Sequence, residues 1–143
     1  MNFKSRKDVL FYIIIYSITL FIITMAILEI NKNGFESYEI WTYIFSIAVI
    51  GFIIWTLNST KYDLTNKHLN YQSGLITGKI QIDSINTIIN GKTMWSGLKP
   101  ATARNGLIIK YNKYDEIYIS PKTNETFICE ILKLNKNIKV LNV

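Results

Sequence analysis

The sequence predicts an α+β membrane protein in which a transmembrane helical hairpin precedes an antiparallel β domain with a C-terminal helix. Three observations support this fold class. Two charge-free apolar runs occupy the N-terminal part, the hydrophobic pattern changes to alternation after Thr60, and a helix-spaced apolar stripe follows Pro121. Because the pattern changes so abruptly, we predict two units, a hairpin over residues 1–58 and a cytoplasmic domain over residues 59–143.

The two apolar runs, residues 10–28 and 40–57, contain no Asp, Glu, Lys, Arg or His. A helix of about 20 apolar residues crosses a bilayer, so each run is long enough to span it. One such run also occurs as a buried core helix, but a chain of 143 residues is too short to enclose two in succession. A cleaved signal peptide is disfavoured because no small-residue cleavage pattern follows the first run.

Charges outside the runs predict the orientation. Lys4, Arg6 and Lys7 precede the first run, and acidic residues dominate between the runs. The segment after the second run is strongly basic. The whole chain has a formal net charge of +6. Basic residues stay on the cytoplasmic side. This predicts a multi-pass protein of the inner (plasma) membrane with both termini in the cytoplasm. Because neither run contains an ionisable residue, the hairpin is typical of an anchor rather than a transport pathway.

Alternating apolar residues predict the strands of the second unit. The alternation is carried by Tyr62 and Leu64, Leu69 and Tyr71, Ile76, Ile80 and Ile82, Leu107, Ile109 and Tyr111, and Ile117 and Ile119. Period-two patterns of this kind indicate half-buried sheet. Turn residues at 65–67, 73–74 and 112–113 separate the segments, which favours a meander of five or six antiparallel strands. Residues 83–89 suit either a strand or a helix.

Residues 91–106 interrupt the alternation and predict a long loop, where function often resides. The loop contains Lys92, Trp95, Lys99 and Arg104. Trp95 beside Met94 fits a protein-contact site and fits a plug at one end of the sheet equally well. We select Lys92, Trp95, Lys99 and Arg104 as candidate residues for contact with a partner or with lipid.

The C-terminal part predicts a helix. Ser120 is a favourable N-cap and Pro121 a favourable first helical residue. An apolar stripe follows, made of Phe127, Ile128, Ile131 and Leu132. A stripe with this spacing closes the open side of a sheet. We expect Cys129, beside the stripe, to be a buried or half-buried filler.

These residues carry a resemblance to a known family. The pattern runs through Thr60, Tyr62, Ser73, Gly74, Ile82, Ile85, Ile88, Tyr111, Ile119, Ser120, Pro121 and Phe127. It resembles the bacterial PH-like domains of the YyaB type and covers residues 60–134. Arg104 matches an arginine in the middle of the family pattern, while the residues before it depart from that pattern. The resemblance implies a PH-like fold behind N-terminal membrane spans and gives no catalytic role to carry over.

The residue inventory argues against an enzyme. The chain has one histidine and one cysteine, whereas a structural zinc site requires four nitrogen or sulfur ligands. No nucleophile–base pair or phosphate-binding glycine loop is present. We therefore expect no catalytic residues, no metal and no cofactor. Nucleic acid is disfavoured as a partner because the basic residues form no stripe.

Two function classes remain. In the first, the protein is a membrane-anchored binding module at the inner leaflet that recognises a membrane-bound protein partner or anionic lipid. Lys61, Lys67, Lys92, Lys99 and Arg104 are candidates for leaflet contact, because each cation near an anionic surface contributes about 1 kcal/mol. A basic face that only obeys the positive-inside rule is the plainer interpretation. The alternative class is a self-protection (immunity-type) membrane protein that acts against a toxin or antimicrobial peptide.

Overall fold

The computed structural model describes residues 1–33 and 40–143. Its helices are α1 (Val9–Asn33), α2 (Ile40–Ser59) and α3 (Asn124–Leu134). Most of the loop predicted between the two apolar runs lies outside the described residues. In the described part, Val9–Lys32 is long and apolar enough to cross a membrane by length and composition, and Tyr43–Ser59 is a shorter apolar helix.

Within the described residues, eight strands form two four-stranded sheets. They are β1 (Asn2–Lys4), β2 (Lys61–Leu64), β3 (His68–Ser73), β4 (Ile76–Gln81), β5 (Ile85–Asn90), β6 (Leu107–Tyr111), β7 (Asp115–Ile119) and β8 (Lys139–Asn142). The first sheet has the order β1-β2-β3-β4 and the second β7-β6-β5-β8. The α+β class, the antiparallel β domain and the C-terminal helix predicted from the sequence are therefore confirmed.

Strand β1 precedes both long helices, and the sequence patterns did not predict it. It pairs antiparallel with β2, which places Phe3 opposite Tyr62 and Lys4 opposite Lys61. The predicted boundary at residue 58 assigns residues 1–8 to the hairpin unit, whereas the structure places Asn2–Lys4 in a sheet of the β domain. A three-residue strand with one apolar side chain is too short to give a recognisable alternation.

Strand β8 departs from the predicted all-antiparallel arrangement. It pairs in parallel with β5, with Ile88 opposite Val140. A parallel pair requires a crossover connection. Here the connection contains α3, which lies between β7 and β8 in the chain. The undecided residues 83–89 divide into a 3-10 turn at Ile82–Ser84 and strand β5.

One core joins the two sheets and α3. Its fully buried members come from both sheets and from the helix: Tyr62, Leu69, Ile88, Leu107, Ile109, Ile117, Ile119, Phe127 and Ile131. The predicted helical stripe is confirmed, because Phe127 and Ile131 are buried and Ile128 and Leu132 pack beside them. Burial of this apolar surface is the main stabilising contribution to the fold.

Two predicted details of α3 are wrong. The helix begins at Asn124, with Thr123 in the N-cap position, rather than at Ser120 and Pro121. Ser120 is instead buried in contacts with the N-terminal segment, and Pro121 forms a β-bridge with Ser5. Cys129 is exposed and is not a core filler.

Candidate functional site

The loop of residues 91–106, here called the β5–β6 loop, is tied down along its length. Its two ends meet where the Gly91 amide donates to the Gly106 carbonyl at 3.0 Å. Met94 is buried in a second small core with Ile108 and Tyr118, on the outer face of the second sheet. The loop is therefore a fixed platform over β6 and β7 rather than a free connection.

The two roles proposed for the Trp95–Met94 pair are divided between its members. Met94 is only 6% exposed, whereas Trp95 is 86% exposed. Met94 is therefore the residue that packs against the sheet, and the Trp95 indole projects outward from the protein surface. Lys92 and Lys99 are exposed on the same loop. The structure thus displays three of the four selected residues together on one braced segment.

A cluster of buried hydroxyl groups fixes the N-terminal segment to this loop. The Ser5 Oγ lies 3.1 Å from the Tyr62 Oη, 2.9 Å from the Ser120 Oγ and 2.8 Å from the Thr102 Oγ1. The Tyr62 hydroxyl also donates to the Pro100 carbonyl at 2.7 Å. Burial raises the pKa of the Tyr62 hydroxyl, so the group stays protonated and able to donate. Sequence patterns missed this cluster because its members are far apart in the chain.

Replacing Tyr62 by Phe tests the cluster. The Pro100 carbonyl loses its donor and the Ser120 amide, which donates to Tyr62 at 3.1 Å, loses its acceptor. A buried polar group left unpaired costs about 1–3 kcal/mol, so we expect the free energy of unfolding to fall by about that amount. Urea unfolding of the purified protein in detergent measures it. Tyr114→Phe is the control, because Tyr114 is 84% exposed; equal midpoints for the two variants would contradict the assignment.

Arg104, the fourth selected residue, is bound to the start of α1. Its Nε donates to the Asp8 Oδ2 at 2.7 Å, and the hydrogen bond lowers the pKa of the Asp8 carboxyl. The Asp8 amide donates to the Thr102 carbonyl at 3.1 Å, and the Arg6 guanidinium donates to the Arg104 carbonyl at 2.6 Å. Arg104 therefore braces the β5–β6 loop against the residues that enter α1, in contrast to the outward display of Trp95.

The remaining titratable groups are dispersed. Within residues 1–33 and 40–143, no group of three or more His, Cys, Asp or Glu side chains is placed to hold a metal ion. His68 is half-exposed on β3. Lys67, a candidate for leaflet contact, lies in the β2–β3 turn, at the opposite end of the first sheet from the junction between α2 and β2.

Comparison with known proteins places these features in a family. Residues 60–135, more than half of the chain, match the model of the family described as Bacterial PH domain. The chain is also similar to Uncharacterized protein YyaB of Bacillus subtilis (strain 168), with 28% identity over 139 residues, 96% of this chain and 95% of the relative. The comparison with solved structures gave no match. The family match begins at the junction of α2 with β2 and extends through α3, and on this evidence the chain belongs to the Bacterial PH domain family.

Proposed function

We propose that this protein is a membrane-anchored binding module. In this proposal, α1 and α2 hold the PH domain at the inner face of the plasma membrane, and the β5–β6 loop recognises a membrane-bound protein partner through Trp95. Family membership favours a non-catalytic binding role. The single observation that carries the recognition step is the 86% exposure of Trp95 on a loop that its neighbours hold in place.

The surfaces of the two long helices support the anchor. Large apolar side chains are exposed around them, among them Phe21 at 66% and Phe45 at 70%. A helix that is apolar on all sides requires an apolar surrounding. At 1.5 Å per residue, the 25 residues of α1 and the 20 of α2 extend about 38 Å and about 30 Å. Both lengths suit a hydrocarbon layer about 30 Å thick.

Pairing between β1 and β2 supports a two-helix anchor. Strand β1 lies before α1, β2 lies after α2, and the two are hydrogen-bonded neighbours. The Lys7 ammonium also contacts the Asn58 side chain, so the chain enters α1 and leaves α2 at nearly the same place. If α1 crosses the bilayer, α2 has to return the chain to the same side. The basic residues around this junction favour the cytoplasmic side.

Exposure and chemistry together favour a protein partner for the loop. Tryptophan is enriched among the residues that dominate binding energy at protein interfaces, because a large rigid side chain fills a pocket on the partner at low entropic cost. Lys92 and Lys99 on the same loop would set the orientation of an acidic partner. Because Met94 is buried beneath the loop, Trp95 is presented without a preceding rearrangement, and binding avoids much of the cost of ordering a loop.

Crosslinking and affinity capture from the native membrane test this function. Full-length wild type and Trp95→Ala are each crosslinked in cells, extracted and analysed for captured proteins. A hot-spot loss of about 2 kcal/mol or more corresponds to roughly 30-fold weaker binding, so we expect one specific protein to be lost from the Trp95→Ala sample. Tyr114→Ala is the matched control, since Tyr114 is an equally exposed aromatic residue in a different turn. Capture of the same proteins by wild type and Trp95→Ala would contradict the proposal.

The self-protection function stays a prediction. An adjacent gene for a toxin or antimicrobial peptide would favour it over the binding module described above.

A further inference from the structure

The turn between β3 and β4 lies against the last residues of α2. The Gly74 amide donates to the Ser59 Oγ at 2.9 Å, and the Ser73 and Thr60 hydroxyls lie 2.9 Å apart. A Cβ added to Gly74 would come within 2.8 Å of the Thr56 Oγ1. This turn is therefore held beside the C-terminal end of the apolar run of α2, at the depth where the proposed span leaves the bilayer.

The turn exposes apolar side chains at that depth. Leu75 is 76% exposed and Ile76 is 49% exposed. Polar and glycine residues are the usual occupants of a tight turn in water, so Leu75 in the turn, followed by exposed Ile76 at the start of β4, is unusual. The turn contacts the end of α2, and large apolar side chains are exposed along that helix. An apolar tip beside a membrane span is suited to insertion among lipid chains.

Two cations lie opposite each other on the outer face of the same sheet. Lys4 of β1 is directly opposite Lys61 of β2, and both are exposed. Like charges at opposed positions of neighbouring strands repel and destabilise a sheet. Neither ammonium forms an ion pair with any residue in 1–33 or 40–143. Lys61 immediately follows Thr60 at the end of α2, so the pair lies at the level of lipid headgroups.

Polar side chains extend the row that begins with Lys4 and Lys61 across the next two strands. Gln72 is opposite Lys61, and Thr77 is opposite Gln72. A shallow depression of about 260 Å³ is lined by these three residues together with Lys79 and Asp63. The Asp63 carboxylate lies 3.5 Å from the N-terminal ammonium of Met1, and this positive charge offsets the negative charge of Asp63. The side chains of Lys61 and Lys79 thus border the depression, and ammonium groups of this kind bind a phosphate-bearing anion.

From this arrangement we infer that Lys4, Lys61, Leu75 and Ile76 form a lipid-binding surface that takes anionic headgroups of the inner leaflet. We call these four residues the leaflet patch. The inference rests on the proposed anchor, since the hairpin sets the depth of the patch. Leu75 and Ile76 enter the apolar edge of the leaflet, and Lys4 and Lys61 bind the phosphates next to them. The patch is separate from Trp95, so one domain holds lipid and a protein partner at different surfaces.

Fluorescence quenching of the full-length protein in vesicles tests the leaflet patch. An environment-sensitive fluorophore is attached at Leu75→Cys in a Cys129→Ser background, where both replaced side chains are exposed. The quenchers are spin-labelled phosphatidylglycerol and spin-labelled phosphatidylcholine, used at equal fractions in otherwise identical bilayers. We expect quenching at position 75 by both lipids, and stronger quenching by the anionic one. Each lysine near an anionic leaflet contributes about fivefold to the attraction, so Lys4→Gln with Lys61→Gln should remove most of the preference.

Two further attachment sites separate the possible failures. A fluorophore at Phe21→Cys, midway along α1, reports the anchor itself, and one at Tyr114→Cys reports the β6–β7 turn at the far end of the domain. Quenching at 21 without quenching at 75 would overturn the leaflet patch and leave the anchor intact, whereas no quenching at 21 would overturn the proposed function. Equal quenching at 75 by both lipids, or at 75 and 114 alike, would also overturn the inference.

Discussion

Replacing Phe127 by Ala is expected to lower the free energy of unfolding by about 3–5 kcal/mol, the range for a large aromatic side chain removed from a core. Phe127 is fully buried between α3 and the sheets. Its ring meets that of Phe3 edge-on, with ring centroids 5.2 Å apart. The substitution therefore leaves a cavity and also removes the contact between the helix and the N-terminal strand. Urea unfolding followed by near-ultraviolet circular dichroism measures the loss.

Leu134→Ala is the matched control for this experiment. Leu134 lies on the same helix and is 37% exposed, so its replacement is expected to cost less than about 1 kcal/mol. An unchanged midpoint for Phe127→Ala, or a midpoint equal to that of Leu134→Ala, would show that the buried face of α3 is assigned wrongly.

Removing the N-terminal strand is expected to have the second largest effect. A fragment of residues 58–143 lacks β1, and its Tyr62, Thr102 and Ser120 hydroxyls lose Ser5. With about 1 kcal/mol for each hydrogen bond lost, we expect a fusion of residues 1–8 to residues 58–143 to be more stable by on the order of 3 kcal/mol. Because the side chains of Lys7 and Asn58 are in contact, a short Gly-Ser linker can replace the helices.

The Ser5→Ala version of this fusion separates strand pairing from the hydroxyl cluster. It keeps the backbone pairing of β1 with β2 and loses only the contacts of the Ser5 Oγ, so its stability is expected between those of the fusion and the fragment. If the fragment of residues 58–143 unfolds at the same urea concentration as the fusion, the N-terminal strand contributes nothing to the fold.

The elements that sequence patterns predicted well are those whose stabilising contacts are local and periodic. Alternation at Leu107, Ile109 and Ile117 reflects one buried face of each strand, and the stripe at Phe127 and Ile131 reflects one buried face of a helix. Each pattern is visible within a few residues. The family resemblance rests on residues of the same segments. The PH-like fold that the resemblance implies is confirmed by the family match.

The elements that sequence patterns missed depend on distant partners. Ser5 is 57 residues from Tyr62 and 115 residues from Ser120, and no local period records such contacts. The same contacts explain the misplaced start of α3, because Ser120 has the residue type of an N-cap but its hydroxyl bonds to Ser5 and Thr102. At the candidate site, Met94 is buried and its neighbour Trp95 is exposed. The sequence of an irregular loop has no period that would predict which of the two is buried.

Thiol labelling tests most directly whether the hairpin holds the PH domain on the cytoplasmic side of the membrane. The chain carries its own reporter, since Cys129 is the single cysteine and is exposed on α3. Intact cells are treated with a membrane-impermeant thiol reagent, in parallel with cells made permeable. A second variant, Gly34→Cys with Cys129→Ser, reports the segment between the helices, which lies outside the described residues.

We expect Cys129 to react only after permeabilisation, and the cysteine introduced at position 34 of the second variant to react in intact cells. Labelling of Cys129 in intact cells, or labelling of position 34 only after permeabilisation, would contradict the proposed topology.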